Sequence, residues 1–254
     1  MQSNLVINNI KKVKEGDIDD KKYDLIYRDL VSKINHGIYP PESYLPSENE
    51  LVNLYHTSRE TVRKALSLLN ESGLIHKIQG KGSIVLASDK YAFPLSKMIS
   101  YEELNELFEM KTQTKVLKLE NQNVPQDTFK LDRDEIIPAT YIQRLRIVDG
   151  EPLVIDNDYV LKSVVPEISN EVAERSLYKY FEKDLHLEIG YAIKEVTVEA
   201  ASKEEQNILN ISSKIPVVVV KSTTHLQDNT LLHFTKSVHR ADKFKFVEHA
   251  RRNF

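Results

Sequence analysis

The stretch TSRETVRKALSLLNESGLI, residues 57–75, sets an apolar period against a pair of arginines. Val62, Ala65, Leu66 and Leu69 recur at helical spacing, so one stripe of a helix faces a core. Thr57 followed three residues later by Glu60 predicts a capping box, and Gly73 stands where such a helix ends. Arg59 and Arg63 lie one turn apart near its start, on the face away from the stripe. The N-terminal end of a helix is already electropositive, so cations gain nothing from the dipole there. Their placement points to an anion outside the chain.

Working outward, LPSENELVNLY (residues 45–55) predicts a short helix. Ser47 and Glu50 form a second capping box, and Leu51, Leu54 and Tyr55 turn inward. His56 and Thr57 alone separate the two helices, which is the spacing of a helix-turn-helix. Upstream, Tyr23, Ile26, Tyr27, Leu30 and Ile34 form a further helical stripe, closed by Gly37 and the Pro40-Pro41 pair. Downstream, IHKIQGKGSIVL (residues 75–86) places two β-rich runs around Gly80-Lys81-Gly82, a hairpin with a basic tip. Three helices followed by a hairpin make a winged helix-turn-helix. Gly80–Ser83 has the composition of a phosphate loop but lacks the full spaced motif and does not lead from a strand into a helix. A wing turn is the better reading.

Composition narrows the function classes. A net charge of −3 over 254 residues argues against wholesale polyanion binding but allows a local basic face. Zero cysteines exclude disulfides, thiol catalysis and cysteine-ligated metals. No apolar run approaches membrane length, and the polar start has no signal-peptide core. The expectation is a soluble cytoplasmic protein.

After SDKYAFPL (residues 88–95) the texture changes to β-rich runs alternating with short helices. Strands are expected over Val116–Asn123, Ala139–Val148, Leu153–Tyr159, Gly190–Glu199, Val217–Gln227 and Leu231–Arg240. Helices are expected over Ser100–Met110, Ser176–Asp184 and Lys203–Leu209. Asp149-Gly150 is a strong hairpin turn, Asn229-Thr230 a weaker one. The class is α+β, an antiparallel sheet with helices on one side. The expected organisation is a leader over 1–20, a winged helix-turn-helix over 21–88, a linker over 89–94 and a second domain over 95–254.

LPSENELVNLYHTSRETVRKALSLLNESGLIHKIQGKGS (residues 45–83) closely resembles the DNA-binding domain of the GntR family of bacterial repressors. YIQRLRIVDGEPLVIDNDYV, SLYKYFE and HRADKFKFVEHARR resemble the effector domain of its HutC subfamily, whose fold is chorismate-lyase-like without the enzyme activity. FPLSKMISYEEL, YAIKEVTVE and KFKFVEHARR are most similar to the trehalose operon repressors within that subfamily. The resemblance implies a homodimer on double-stranded operator DNA, released by a sugar phosphate, with trehalose 6-phosphate expected. It implies no cofactor and no metal.

Carried over position by position, the resemblance implies DNA contacts from Ser58, Arg59, Thr61 and Arg63 on the recognition helix and from Gly80 and Lys81 on the wing. Arginine can fork onto guanine O6 and N7, and the two hydroxyls suit phosphate oxygens. Many relatives carry a basic residue where this chain has Asn49, and Glu48 is expected to brace its helix rather than touch DNA.

In the second half, Arg144 and Arg146 are two apart on an expected strand and share a face. Two guanidinium groups there need an anion, or carboxylates such as Asp156 and Asp158, between them. Spacing alone allows a ladder of charge pairs, whereas the resemblance implies phosphate-binding arginines. Ser100 with Glu103 opens a helix whose amides can cradle a phosphate, or is an ordinary cap. Ser176 and Tyr178 match sugar-contacting positions, although a tyrosine there also suits a core. Some relatives have an acidic residue near the place of His233. Arg240 beside Asp242 fits an ion pair as well as a ligand contact.

A competing reading is a sugar-phosphate-acting enzyme of the same fold, with Asp156 and Asp158 as paired carboxylates. Residues two apart on a strand lie side by side, however, whereas glycosidase carboxylates flank a bond from opposite sides. A third reading, a constitutive DNA binder with a purely structural second domain, is weaker because that domain is larger than dimerisation requires.

Overall fold

The computed structural model describes residues 18–86, 98, 100, 102, 103, 105, 111–131 and 136–246. They belong to two compact units. In the first, α1 (Ile18–Asn35), α2 (Glu48–Tyr55) and α3 (Arg59–Glu71) precede a hairpin of β1 (Ile75–Ile78) and β2 (Gly82–Val85). Helix α1 begins at Ile18, inside the expected leader and ahead of the apolar stripe; residues 1–17 lie outside the described residues.

The stripes converge on one core. Ile26, Leu30 and Ile34 of α1 meet Leu51 and Tyr55 of α2, and Val62, Ala65, Leu66 and Leu69 of α3. Leu54, expected inward, is 37% exposed, because the helical turn carries it to the flank of the Leu51–Tyr55 seam. The cap of α3 also differs from expectation. Ser58, not Thr57, is the N-cap, and its Oγ accepts from the Thr61 amide. Gly73 follows the last turn at a φ of +69°, which a residue with a Cβ rarely adopts.

A polar cluster is built into this core. The Tyr55 hydroxyl donates to Asp29 Oδ2 at 2.6 Å, and Lys33 Nζ donates to the same oxygen at 2.6 Å. It ties the C-terminal end of α2 to α1. The capping box of Ser47 and Glu50 fixes the other end: Ser47 N donates to Glu50 Oε2 at 2.7 Å and Glu50 N to Ser47 Oγ at 3.3 Å.

The second unit is a six-stranded antiparallel sheet. Its strands are β3 (Thr112–Asn123), β4 (Pro138–Val148), β5 (Glu151–Leu161), β6 (Ile189–Glu199), β7 (Val217–Leu226) and β8 (Leu231–Arg240), in the spatial order β3-β4-β5-β8-β7-β6. Asp149 and Gly150 both have positive φ, as a two-residue hairpin turn of type I′ requires. The short helices are α4 (Gln126–Phe129), α5 (Asn170–Glu174), α6 (Leu177–Lys179) and α7 (Lys203–Leu209). Helix α6 passes directly into a π-helical turn, Tyr180–Asp184.

Helices cover both faces of the sheet, not one. Ala173, Leu177 and Phe181 pack with Ile142 and Val160 on one face. Leu209 of α7 packs with Leu145, Ile155, Val219 and Val238 on the other. The cause is alternation: both residue parities carry apolar side chains on the central strands, so both faces need cover. Of the helix expected over Ser100–Met110, residues 100, 102, 103 and 105 are described.

Candidate nucleic-acid interface and effector site

In the first unit the two arginines of α3 stand exposed at its opening. Each meets a residue of the first turn of α2. Arg63 Nε donates to Glu48 Oε2 at 2.9 Å, and Lys77 of β1 donates to Glu48 Oε1 at 2.9 Å. The Lys77 hydrogen bond, joined by Arg63, holds the Glu48 carboxyl below the usual range against a smaller push from burial. Arg59 Nη2 donates to Asn49 Oδ1. Glu48 thus braces α3 and the wing strand, whereas Asn49 touches only the recognition helix among its described contacts.

Ser58 and Thr61 turn toward each other, with their hydroxyls 2.7 Å apart. Thr61 is 3% exposed, so its side chain serves the cap and the core rather than standing open to a phosphate. Position N3 of a helix faces its own N-cap, which is the reason. The wing tip is open: Lys81 is exposed between Gly80 and Gly82, whose φ values are +78° and +108°. Neither glycine amide is screened by a side chain of its own, so backbone can approach a groove closely there.

In the second unit a charged network lies on one sheet face. Arg144 donates through Nε and Nη2 to Asp158 Oδ2 at 3.1 and 2.6 Å, and through Nη1 to the Arg175 carbonyl at 3.2 Å. Arg146 donates through Nε to Asp156 Oδ2 at 2.8 Å and through Nη1 to Thr114 Oγ1 at 2.7 Å. From β8, Ser237 donates to Asp156 Oδ1 at 2.6 Å and Thr235 to Asp158 Oδ1 at 3.1 Å. His233 Nε2 lies 3.0 Å from Asp158 Oδ1; a carboxylate only accepts, so this bond needs the proton on Nε2. Burial by itself raises the Asp158 carboxyl, but Arg144, His233 and Arg146 outweigh it and hold the group well below the usual range.

One bulge makes this network possible. Beside the turn Val148 pairs with Glu151 and Ile147 with Pro152, but Arg146 then pairs with Val154, skipping Leu153. In an unbroken register Arg146 would face Leu153 and Arg144 would face Ile155. Side chains alternate with period two, so the aspartates would then lie on the opposite face. The extra residue brings arginines and aspartates to the same side, and the ion pairs close diagonally.

Ser176 is the N-cap of α6, next to the Arg175 carbonyl that Arg144 engages, and its Oγ accepts from Lys179 N at 3.2 Å. Tyr178 lies edge-on to His233 with centroids 6.2 Å apart, and burial pushes its hydroxyl up to about 12. Ser100 and Glu103 form a reciprocal cap, with Ser100 N to Glu103 Oε2 at 2.7 Å. Glu102 receives Lys179 Nζ at 2.6 Å, which sets this helix start beside α6. Arg240 pairs with Asp242 at 2.7 Å. Sequence reasoning missed Thr114, Thr235 and Ser237. The last two share a period of two with His233, a legible signal; Thr114 depends on pairing with a distant strand.

A winged helix-turn-helix followed by a six-stranded sheet domain is an arrangement suited to a transcription regulator, and comparison with known proteins agrees. Residues 22–85 match the model of bacterial regulatory proteins of the gntR family, and residues 109–245 that of the UTRA domain. The chain belongs to the GntR family and is a DNA-binding transcriptional repressor, not an enzyme. It is 40% identical to the HTH-type transcriptional regulator TreR of Bacillus subtilis, over 91% of this chain and 98% of that protein. It is 29% identical to the repressor NagR of the same organism, over 89% and 93%. Among solved structures, the possible regulator YydK of Bacillus subtilis shares the fold with a TM-score of 0.70, covering 90% of this chain and 99% of that one at 23% identity. The effector-binding domain of the Bacillus subtilis trehalose repressor TreR covers 56% of this chain and 99% of its own at 34% identity and a TM-score of 0.49. Among the described residues no helix is long and apolar enough to cross a membrane.

Proposed function

We propose that this repressor binds a palindromic operator as a homodimer in the cytoplasm and releases it on binding trehalose 6-phosphate, so controlling trehalose uptake and breakdown. The carrying observation is the pair of buried guanidinium groups of Arg144 and Arg146 on one sheet face, with Arg144 bonded to the Arg175 carbonyl beside the capped helix start at Ser176. A phosphate dianion matches forked guanidinium donors, and such charge-assisted bonds are among the stronger ones available. The aspartates hold those donors in place until the ligand arrives. Ser222 Oγ and His233 Nδ1 are buried on the same face without hydrogen-bond partners among the described residues, as groups awaiting sugar hydroxyls would be. The 40% identity with TreR supports trehalose as the sugar.

One recognition helix reads only a few base pairs, so specificity requires two half-sites and a two-fold dimer. Edge strand β6 supports self-association: Val198 is 69% exposed on one face and Ile193 62% exposed on the other. The effector acts by binding one arrangement of the dimer better than the other, and operator DNA must weaken effector binding by the same factor. Calorimetric titration with trehalose 6-phosphate tests the reading. Arg144→Ala and Arg146→Ala should lose the effector while still occupying the operator, giving super-repressors. Unchanged affinity in both variants moves the phosphate elsewhere, and no binding by the wild type rejects this sugar.

A further inference from the structure

We propose that Asn49 is a specificity-determining positioning residue of the DNA interface, acting through Arg59. The inference rests on the reading of Arg59 as a base-contacting arginine and adds what aims it.

Asn49 is the second residue of α2, in a turn locked by the reciprocal Ser47–Glu50 cap. Its carboxamide oxygen accepts from Arg59 Nη2, ten residues on and across the turn of the helix-turn-helix. Both side chains are exposed, so the bond is not a by-product of burial. A guanidinium offers two edges able to donate a matched pair of hydrogen bonds: Nε with one Nη2 hydrogen, and the other Nη2 hydrogen with Nη1. A bond on Nη2 uses one hydrogen of one edge. Arg59 therefore keeps one complete fork, in one orientation, and guanine O6 and N7 need one fork. Without Asn49 the arginine samples its rotamers and either edge, and must give up that freedom on binding.

The same bond limits what Asn49 does on its own. Bidentate reading of adenine needs the carboxamide oxygen as well as the nitrogen, and the bond from Arg59 takes one lone pair of that oxygen and fixes its direction. Asn49 brings no charge, so it adds nothing to the sequence-independent attraction of the phosphates. Its effect is confined to discrimination at the base pair that Arg59 reads.

A double-mutant cycle on the full-length protein decides the matter. The probe is a duplex selected by the wild type from a randomised pool, compared with random-sequence duplex of equal length. Asn49→Ala should lower the ratio of specific to non-specific affinity roughly two- to tenfold, the cost of one immobilised side chain. The salt dependence and the melting temperature should not move, since neither a charge nor a buried contact is lost. In an Arg59→Ala background, Asn49→Ala should change nothing further. Asn49→Asp keeps an acceptor and should keep the discrimination, while its charge weakens both affinities. If the Asn49→Ala loss persists in full beside Arg59→Ala, Asn49 touches DNA directly and the proposal fails. If Arg59→Ala itself loses no discrimination, the reading of Arg59 fails first and the brace with it.

Discussion

Replacing Asp158 by Asn tests whether the sheet face is a held charge network. The exchange removes one charge and almost no volume. Arg144 is 4% exposed and Asp158 2%, and they meet at 2.6 Å, so water cannot replace the lost anion. Removing one partner of a buried pair costs about 3–5 kcal/mol, because the other charge is left uncompensated. Asparagine retains an acceptor oxygen, which offsets about 1 kcal/mol, the worth of a neutral hydrogen bond. The expected loss is therefore about 2–4 kcal/mol, a large share of a typical domain's roughly 5–15 kcal/mol. With no tryptophan in the chain, calorimetry or the circular dichroism of its tyrosines follows unfolding of the second unit. The pH dependence carries a sign. Asp158 is depressed in the folded state, so its contribution is complete above the unfolded value of about 3.9 and is lost as pH falls from there toward the folded value. The wild-type and Asp158→Asn curves should converge in acid. A loss below about 1 kcal/mol at neutral pH, the level of an exposed pair, would refute the network.

Two further outcomes concern the DNA-binding unit. Arg59→Ala and Arg63→Ala should each cost roughly 1–3 kcal/mol of discrimination in competition binding, while Lys81→Ala should weaken all sequences evenly and lower the salt slope by about one. Tyr55→Phe should destabilise this unit by about 1.5–3 kcal/mol in thermal unfolding, because it removes a hydrogen bond to the buried Asp29 carboxylate; an unchanged melting temperature would show that Lys33 alone satisfies Asp29.

Much of the fold could be read locally. The period of Val62, Ala65, Leu66 and Leu69 marked α3, and β8 runs over Leu231–Arg240 as the alternation predicts. The cap of α3 was misread because two hydroxyl residues stand side by side, Thr57 with Glu60 and Ser58 with Thr61. Local sequence does not choose between them; the helix-turn geometry does. The two arginines and two aspartates were legible as charge sets on neighbouring strands, and their pairing as one of two alternatives, but the register that lets them meet was not. Asp149-Gly150 alone predicts a register that separates them, and the bulge at Leu153 reverses it. Thr114 and the Arg175 carbonyl reach the network from elements whose docking no short-range pattern encodes. The expectation of helices on one side failed for a related reason. Alternation says which residues are apolar on each face, but not which later segment returns to cover them.

The π-helical turn at Tyr180–Asp184 makes the length of this segment matter as much as its chemistry. Such a turn holds one residue more than an α-helical path would, and it delivers Phe181, fully buried, to within 6.1 Å of the His233 ring. Substitutions here would only reshape a wall. Deleting one residue would let the turn relax to an α-helix and swing everything beyond it by about 100°. A single deletion here therefore re-aims the segment that follows Phe181, which no substitution within the turn can do.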